Sequence, residues 1–153
     1  MTLEPLTLFI HLSSVSIWVG GMFFAYVCLR PAALEVLEPP QRLRLWGAVF
    51  GRFFTWVWGA VAMILGSGLA RLVEMGFAHA PIHWHLMLLL GLIMMAIFAH
   101  VYFAPYGALK RAVAVEDWKA GGAALNRIRQ LVGLNLVLAG VTIAVATLGR
   151  WLI

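Results

Sequence analysis

Five histidines, His11, His79, His83, His85 and His100, punctuate a chain whose apolar stretches carry almost no other ionisable group. Neutral imidazole is a common metal ligand and an axial ligand of haem, so their placement decides which chemistry is open. His83, Met87 and Met94 follow one another at spacings of four and seven, which puts them near one face of a helix. Imidazole and thioether together select the soft ion Cu(I), and a His/Met pair also ligates haem iron. His85 and His100 share another face, about 22 Å apart along a helix axis, as two separate sites or a relay would require. His83 and His85 lie about 200° apart around a helix and so cannot both face the same interior.

The elements that must position these residues are set by a lipid solvent. Hydrophobic residues make up 63% of the 153-residue chain and charged residues 11%, with a mean hydropathy of +0.95. That leaves too little polar surface to cover a fold in water. Four stretches without Lys, Arg, Asp or Glu are long enough to cross about 30 Å of hydrocarbon: residues 6–29, 53–70, 82–106 and 130–149. Arg52 with Arg71, and Arg129 with Arg150, bracket the second and fourth, where their stems can snorkel to the headgroups. The expectation is an all-α integral membrane four-helix bundle, up-and-down, forming a single transmembrane domain over 1–153. The first run carries Glu4 rather than a basic leader and is expected to be retained as a span.

Charge orients the bundle. The connections 30–52 and 107–129 carry nine of the eleven Lys and Arg residues, and the other side only Arg71 and Arg150. The positive-inside rule then places both connections in the cytoplasm and both termini on the periplasmic side of a cell inner membrane, which the chain crosses several times. A net charge of +5 and a pI near 10.2 are explained by anionic lipid at these connections, without nucleic acid. In the first connection, Arg30-Pro31 and Pro39-Pro40 surround a short helix-capable segment, and in the second, Glu116 to Asn126 reads as an amphipathic surface helix. Cys28 stands alone, so no internal disulfide forms.

With that orientation, His11 and His85 lie at matching depths below the outer boundary. In an up-and-down bundle the first and third spans are diagonal neighbours, and two imidazoles can then approach a haem from opposite faces. The competing structural uses are ordinary. Methionines fill gaps in packed helices, His79 sits in a loop, and His100 stands beside Tyr102 and Tyr106 at the inner interface, able to ligate or simply to hydrogen-bond. For His11, which needs a partner within a span, Ser14 alone is a weak one. Asn135 is placed to hydrogen-bond across helices. Trp56, Trp58, Trp84 and Trp151 read as interfacial anchors, and Gly59 with Gly66, and Gly133 with Gly140, as faces for close helix approach. No acid lies within a span, and nucleotide-loop, zinc-protease and nucleophile-elbow motifs are missing.

These residues resemble the CopD-like integral membrane proteins, with a more distant pattern likeness to HemJ-type protoporphyrinogen oxidases. The likeness lies in His11-Leu12 followed by Trp18-Val19-Gly20-Gly21 and Leu29-Arg30-Pro31, in His85-Leu86-Met87, and in Asn126-Arg127-Ile128-Arg129 leading to Leu134-Asn135-Leu136. It implies a four-helix, often homodimeric membrane protein with b-type haem or copper. HemJ-type enzymes share the His11, Trp18 and Gly21 spacing. They also carry an aromatic-Pro-Arg with a further His, and a His-x-Lys at the third helix, where this chain has Tyr26-Val27-Cys28 and Met87. Those departures count against protoporphyrinogen oxidation and leave haem binding intact. The leading expectation is a membrane-embedded haem b protein acting in electron transfer as an oxidoreductase, with His11 and either His85 or His83 as axial ligands and His100 as a further candidate. The alternative is copper binding or transport through His83, Met87 and Met94.

Overall fold

The computed structural model describes residues 4–152, with the side chains of Arg150 and Leu152 outside the description, so the expected bracketing role of Arg150 lies outside the described residues. Among the described residues every regular element is helical. Helix α1 spans Glu4–Phe23, runs without interruption into a π-helical turn at Phe24–Leu29, and continues as α2, Arg30–Val36. Helix α3 is Pro39–Met75, α4 is Ile82–Phe103, α5 is Pro105–Ala114 and α6 is Trp118–Leu152. The four crossings are carried by α1, α3, α4 and α6, each long and apolar enough to span a bilayer.

Local chemistry sets the boundaries. Pro39 and Pro40 open α3 where a missing N–H costs nothing, and Glu38 with Gln41 forms a reciprocal capping box, its backbone arm at 3.2 Å. Gly76, at φ +81°, takes the left-handed conformation that stops α3. Pro105 lacks the N–H that would continue α4, so the chain breaks at Ala104 and restarts as α5. Asp117 then caps α6, its carboxylate accepting from the Ala120 N–H at 2.9 Å.

The helices extend beyond the charge-free stretches. α3 has 37 residues, about 55 Å, and α6 has 35, about 52 Å. Residues 39–52 and 118–129 therefore belong to the crossing helices themselves, and the expected surface helix from Glu116 to Asn126 is the first part of α6. Absence of charge marks the hydrocarbon, whereas a helix ends only where a Gly, a Pro or a cap intervenes, and Arg52 and Arg129 are good helix formers.

α1 packs chiefly on α3 and α4 on α6, while α5 lies along α6. Glu4 pairs with Arg71 at 2.8 Å, and His83 abuts Gly149, so both chain ends gather at the same end of the bundle as the α3 to α4 link. The interior is aromatic. Phe54 contacts Phe50, Phe98, Tyr102 and Tyr106, and Trp18 meets Phe98 edge to face at 6.1 Å. Phe9, Trp56, Phe103 and Val137 point outward on the four crossings, as lipid contact requires. Trp58 departs from a simple anchor: it stacks against Phe98 and Tyr102.

Candidate functional site

At the chain-end side of the bundle, which we call the outer end, each histidine is held differently. His11 Nδ1 lies 2.9 Å from Ser67 Oγ, across the α1/α3 interface. Ser67 Oγ also lies 2.6 Å from the Met63 carbonyl and 3.2 Å from the Ile64 carbonyl. When its one hydroxyl proton goes to either carbonyl, Ser67 accepts from His11 Nδ1–H and Nε2 carries the lone pair, the arrangement that a hydrogen-bonded metal-ligating histidine adopts. Gly68 faces the ring, and a Cβ there would sit in ordinary contact, 3.6 Å from His11 Cε1. Ser67, rather than Ser14, is the partner that sequence reasoning missed. Its signal was a polar residue in the second span, four residues before Arg71, at the depth of His11.

His85 turns the other way. Its Nδ1 is 3.3 Å from the Pro81 carbonyl and its Nε2 is 3.1 Å from the Phe77 carbonyl, with the Phe77 ring edge-on at 4.8 Å. Both nitrogens face backbone oxygens of the outer link, and the imidazole serves to close the Phe77–His79 turn onto α4. The structure therefore does not bring His11 and His85 together. Among the described residues no group of three or more His, Cys, Asp or Glu side chains converges on a common point. His79 belongs to the outer turn and is exposed, and His100 is exposed on the lipid side of α4.

His83 faces α6, apart from His85 as their spacing required. A Cβ added at Gly149 would lie 2.7 Å from His83 Cβ, so only glycine permits this approach. Further along the seam Met94 is buried, and its sulfur lies 3.8 Å from Thr142 Oγ1. Thr142 has one proton to give, to this sulfur or to the Leu138 carbonyl at 2.8 Å, so the thioether receives at most one long hydrogen bond from it. Asn135 Nδ2 donates to the Met94 carbonyl at 3.1 Å, the cross-helix bond expected for that asparagine. Gly149, Thr142 and Asn135 recur at intervals of seven along α6 and oppose the His83, Met87 and Met94 stripe of α4. Met87 is half-buried on the same stripe. His83 and Met94 are about 16 Å apart along the axis, too far to share one ion.

Beyond Met94 the seam continues inward. Asn135 Oδ1 is buried without a hydrogen-bond partner and borders a cavity of about 20 Å³ ringed by Trp18, Phe50, Phe54 and Phe98. Ala25, Phe50 and Val132 are shared between its wall and that of a larger cavity of about 300 Å³ at the arginine-rich end.

Residues 47–148, 102 of the 153, match the family model of Copper resistance protein D. The chain belongs to the CopD family. No curated protein and no solved structure matches it. Within this multi-pass membrane protein the matched segment runs from the third turn of α3 to the end of the fourth crossing. It contains Ser67, His83, Met87, Met94 and Asn135, whereas His11 precedes it.

Proposed function

We propose that this CopD-family chain handles copper within the membrane, with Cu(I) as its cargo and the α4/α6 seam as its route. The observation that carries this reading is the buried Met94 thioether, met only by one long contact from Thr142, on the same helix face as His83 and Met87 and inside the family-matched segment. Soft thioether and imidazole donors favour Cu(I) over hard divalent cations. Steps of four and seven residues, about 6 and 10 Å, suit sequential sites from the outer end toward the bilayer midplane rather than one closed centre. The charge asymmetry supports a periplasmic outer end in an inner membrane. Anaerobic titration of the detergent-purified protein with Cu(I) against a chromophoric chelator tests the assignment. We expect binding that falls by at least about tenfold in the Met87→Leu and Met94→Leu double variant, and unchanged binding would overturn it.

A second reading is favoured by His11. Its ring is held by Ser67, and Nε2 would be the atom to hold a b-type haem, which would supply electron transfer at the outer end. His11 fits that role, and His85, as it stands, offers no second nitrogen. A Soret band abolished by His11→Ala would establish this reading, and a colourless protein expressed with ample haem would remove it.

A further inference from the structure

The larger cavity lies at the end of the bundle opposite His11, His79, His83 and His85. Its walls come from separate segments: the π-helical turn with α2, the first three turns of α3, and the first four turns of α6. Three guanidinium groups line it, Arg30, Arg42 and Arg129, and no carboxylate does. Among the described residues these three arginines form no ion pair, although Arg44, one residue from Arg42's neighbour Leu43, is neutralised by Glu116 at 2.8 Å. Arg30 reaches the cavity because the π-helical turn at Phe24–Leu29 shifts the helix register just before it, and Arg30 Cζ lies 5.9 Å from the Tyr26 ring. Tyr26 is seated by Gly133, where a Cβ would come within 3.2 Å of the ring.

The rest of the lining is apolar, with Trp46 and Phe50 at the deep side and Trp118 and Leu34 nearer the mouth. The cavity is half open, and it lies against the charged opening turns of α3 and α6, reaching the charge-free stretches at Ala25, Tyr26 and Val132. Uncompensated guanidiniums beside an apolar, aromatic wall at headgroup depth match an anion that carries a hydrocarbon chain. Guanidinium binds phosphate bidentately, and its attraction to anionic lipid adds to that of its neighbours.

We propose that this cavity is a specific site for one anionic phospholipid, its phosphate held by Arg30, Arg42 and Arg129 and one acyl chain lying against Trp46 and Phe50. The site is distinct from the α4/α6 seam and does not depend on copper. The protein is reconstituted in vesicles of phosphatidylcholine with a minority of phosphatidylglycerol, extracted in mild detergent, and its retained lipid counted by native mass spectrometry. We expect one retained phosphatidylglycerol per chain in the wild type, and at least about tenfold less retention in the Arg42→Gln and Arg129→Gln double variant. Arg52→Gln, exposed at the same end and outside the cavity lining, should retain lipid as the wild type does. Equal losses in Arg52→Gln would reduce the effect to general surface charge and overturn the site. Should the double variant fail to fold, the wild type alone decides: retention of phosphatidylcholine equal to phosphatidylglycerol contradicts the proposal. Displacement of the lipid by millimolar inorganic phosphate would likewise overturn the lipid assignment in favour of a free-phosphate site.

Discussion

The two ends of the bundle divide its chemistry from its space. At the outer end the histidines are packed singly: His11 against Ser67 and Gly68, His83 against Gly149, His85 against the carbonyls of the link. At the inner end there is a cavity of about 300 Å³ with three arginines and no histidine. An end that holds soft donors in close-packed seams suits the passage of a small bare ion. An end that opens between helices suits an amphiphile. The difference follows from residue size: glycine and serine let helices close at the outer end, while Trp46, Trp118 and the arginines hold them apart at the inner one.

The sharpest way to break that contrast is to force the outer seam open. Gly149→Val places methyl groups where His83 Cβ already stands within 2.7 Å of the new Cβ, and neither backbone-proximal atom can swing away. We expect a loss of about 1–3 kcal/mol in detergent unfolding. Gly140→Val on the same helix meets nothing within 4 Å and should leave stability near that of the wild type. Equal effects at the two glycines would mean that the α4/α6 seam is not closely packed.

A smaller effect is expected at the α1/α3 contact. Single and double alanine variants of His11 and Ser67 form a cycle whose coupling should be about 0.6–1.7 kcal/mol, the range for hydrogen bonds between membrane helices. A coupling of zero would remove the His11–Ser67 hydrogen bond. Smaller still is Asn135→Leu, which loses the bond to the Met94 carbonyl but also removes the unpartnered Oδ1. Its net change should stay within about 0.6 kcal/mol, and a greater loss would indicate that Oδ1 has a bound partner in the small cavity. Least of all, Arg44→Gln at the exposed pair with Glu116 should shift stability by under about 0.5 kcal/mol.

Much of this was legible from residue types in order. Runs of Leu, Ile, Val and Ala without charge located the crossings, the spacing of His83, Met87 and Met94 placed them on one seam, and the depth of Asn135 predicted its cross-helix bond. What was hidden depends on which helices meet and in what register. Ser67 is 56 residues from His11, and nothing in local spacing pairs them. Arg30, Arg42 and Arg129 come from separate segments and converge only once the π-helical turn has rotated the chain. The expected matching depth of His11 and His85 does not fix the direction of a side chain, and the Pro81 and Phe77 carbonyls of the α3 to α4 link hold the His85 imidazole there.

The most direct measurement is X-ray absorption at the copper edge of the Cu(I)-loaded, detergent-purified protein. We expect sulfur scatterers from Met87 and Met94 together with a nitrogen from His83, and loss of the sulfur contribution in the Met87→Leu and Met94→Leu double variant. A copper shell of nitrogen and oxygen alone, unchanged in that variant, would contradict the assignment of the α4/α6 seam as the copper route.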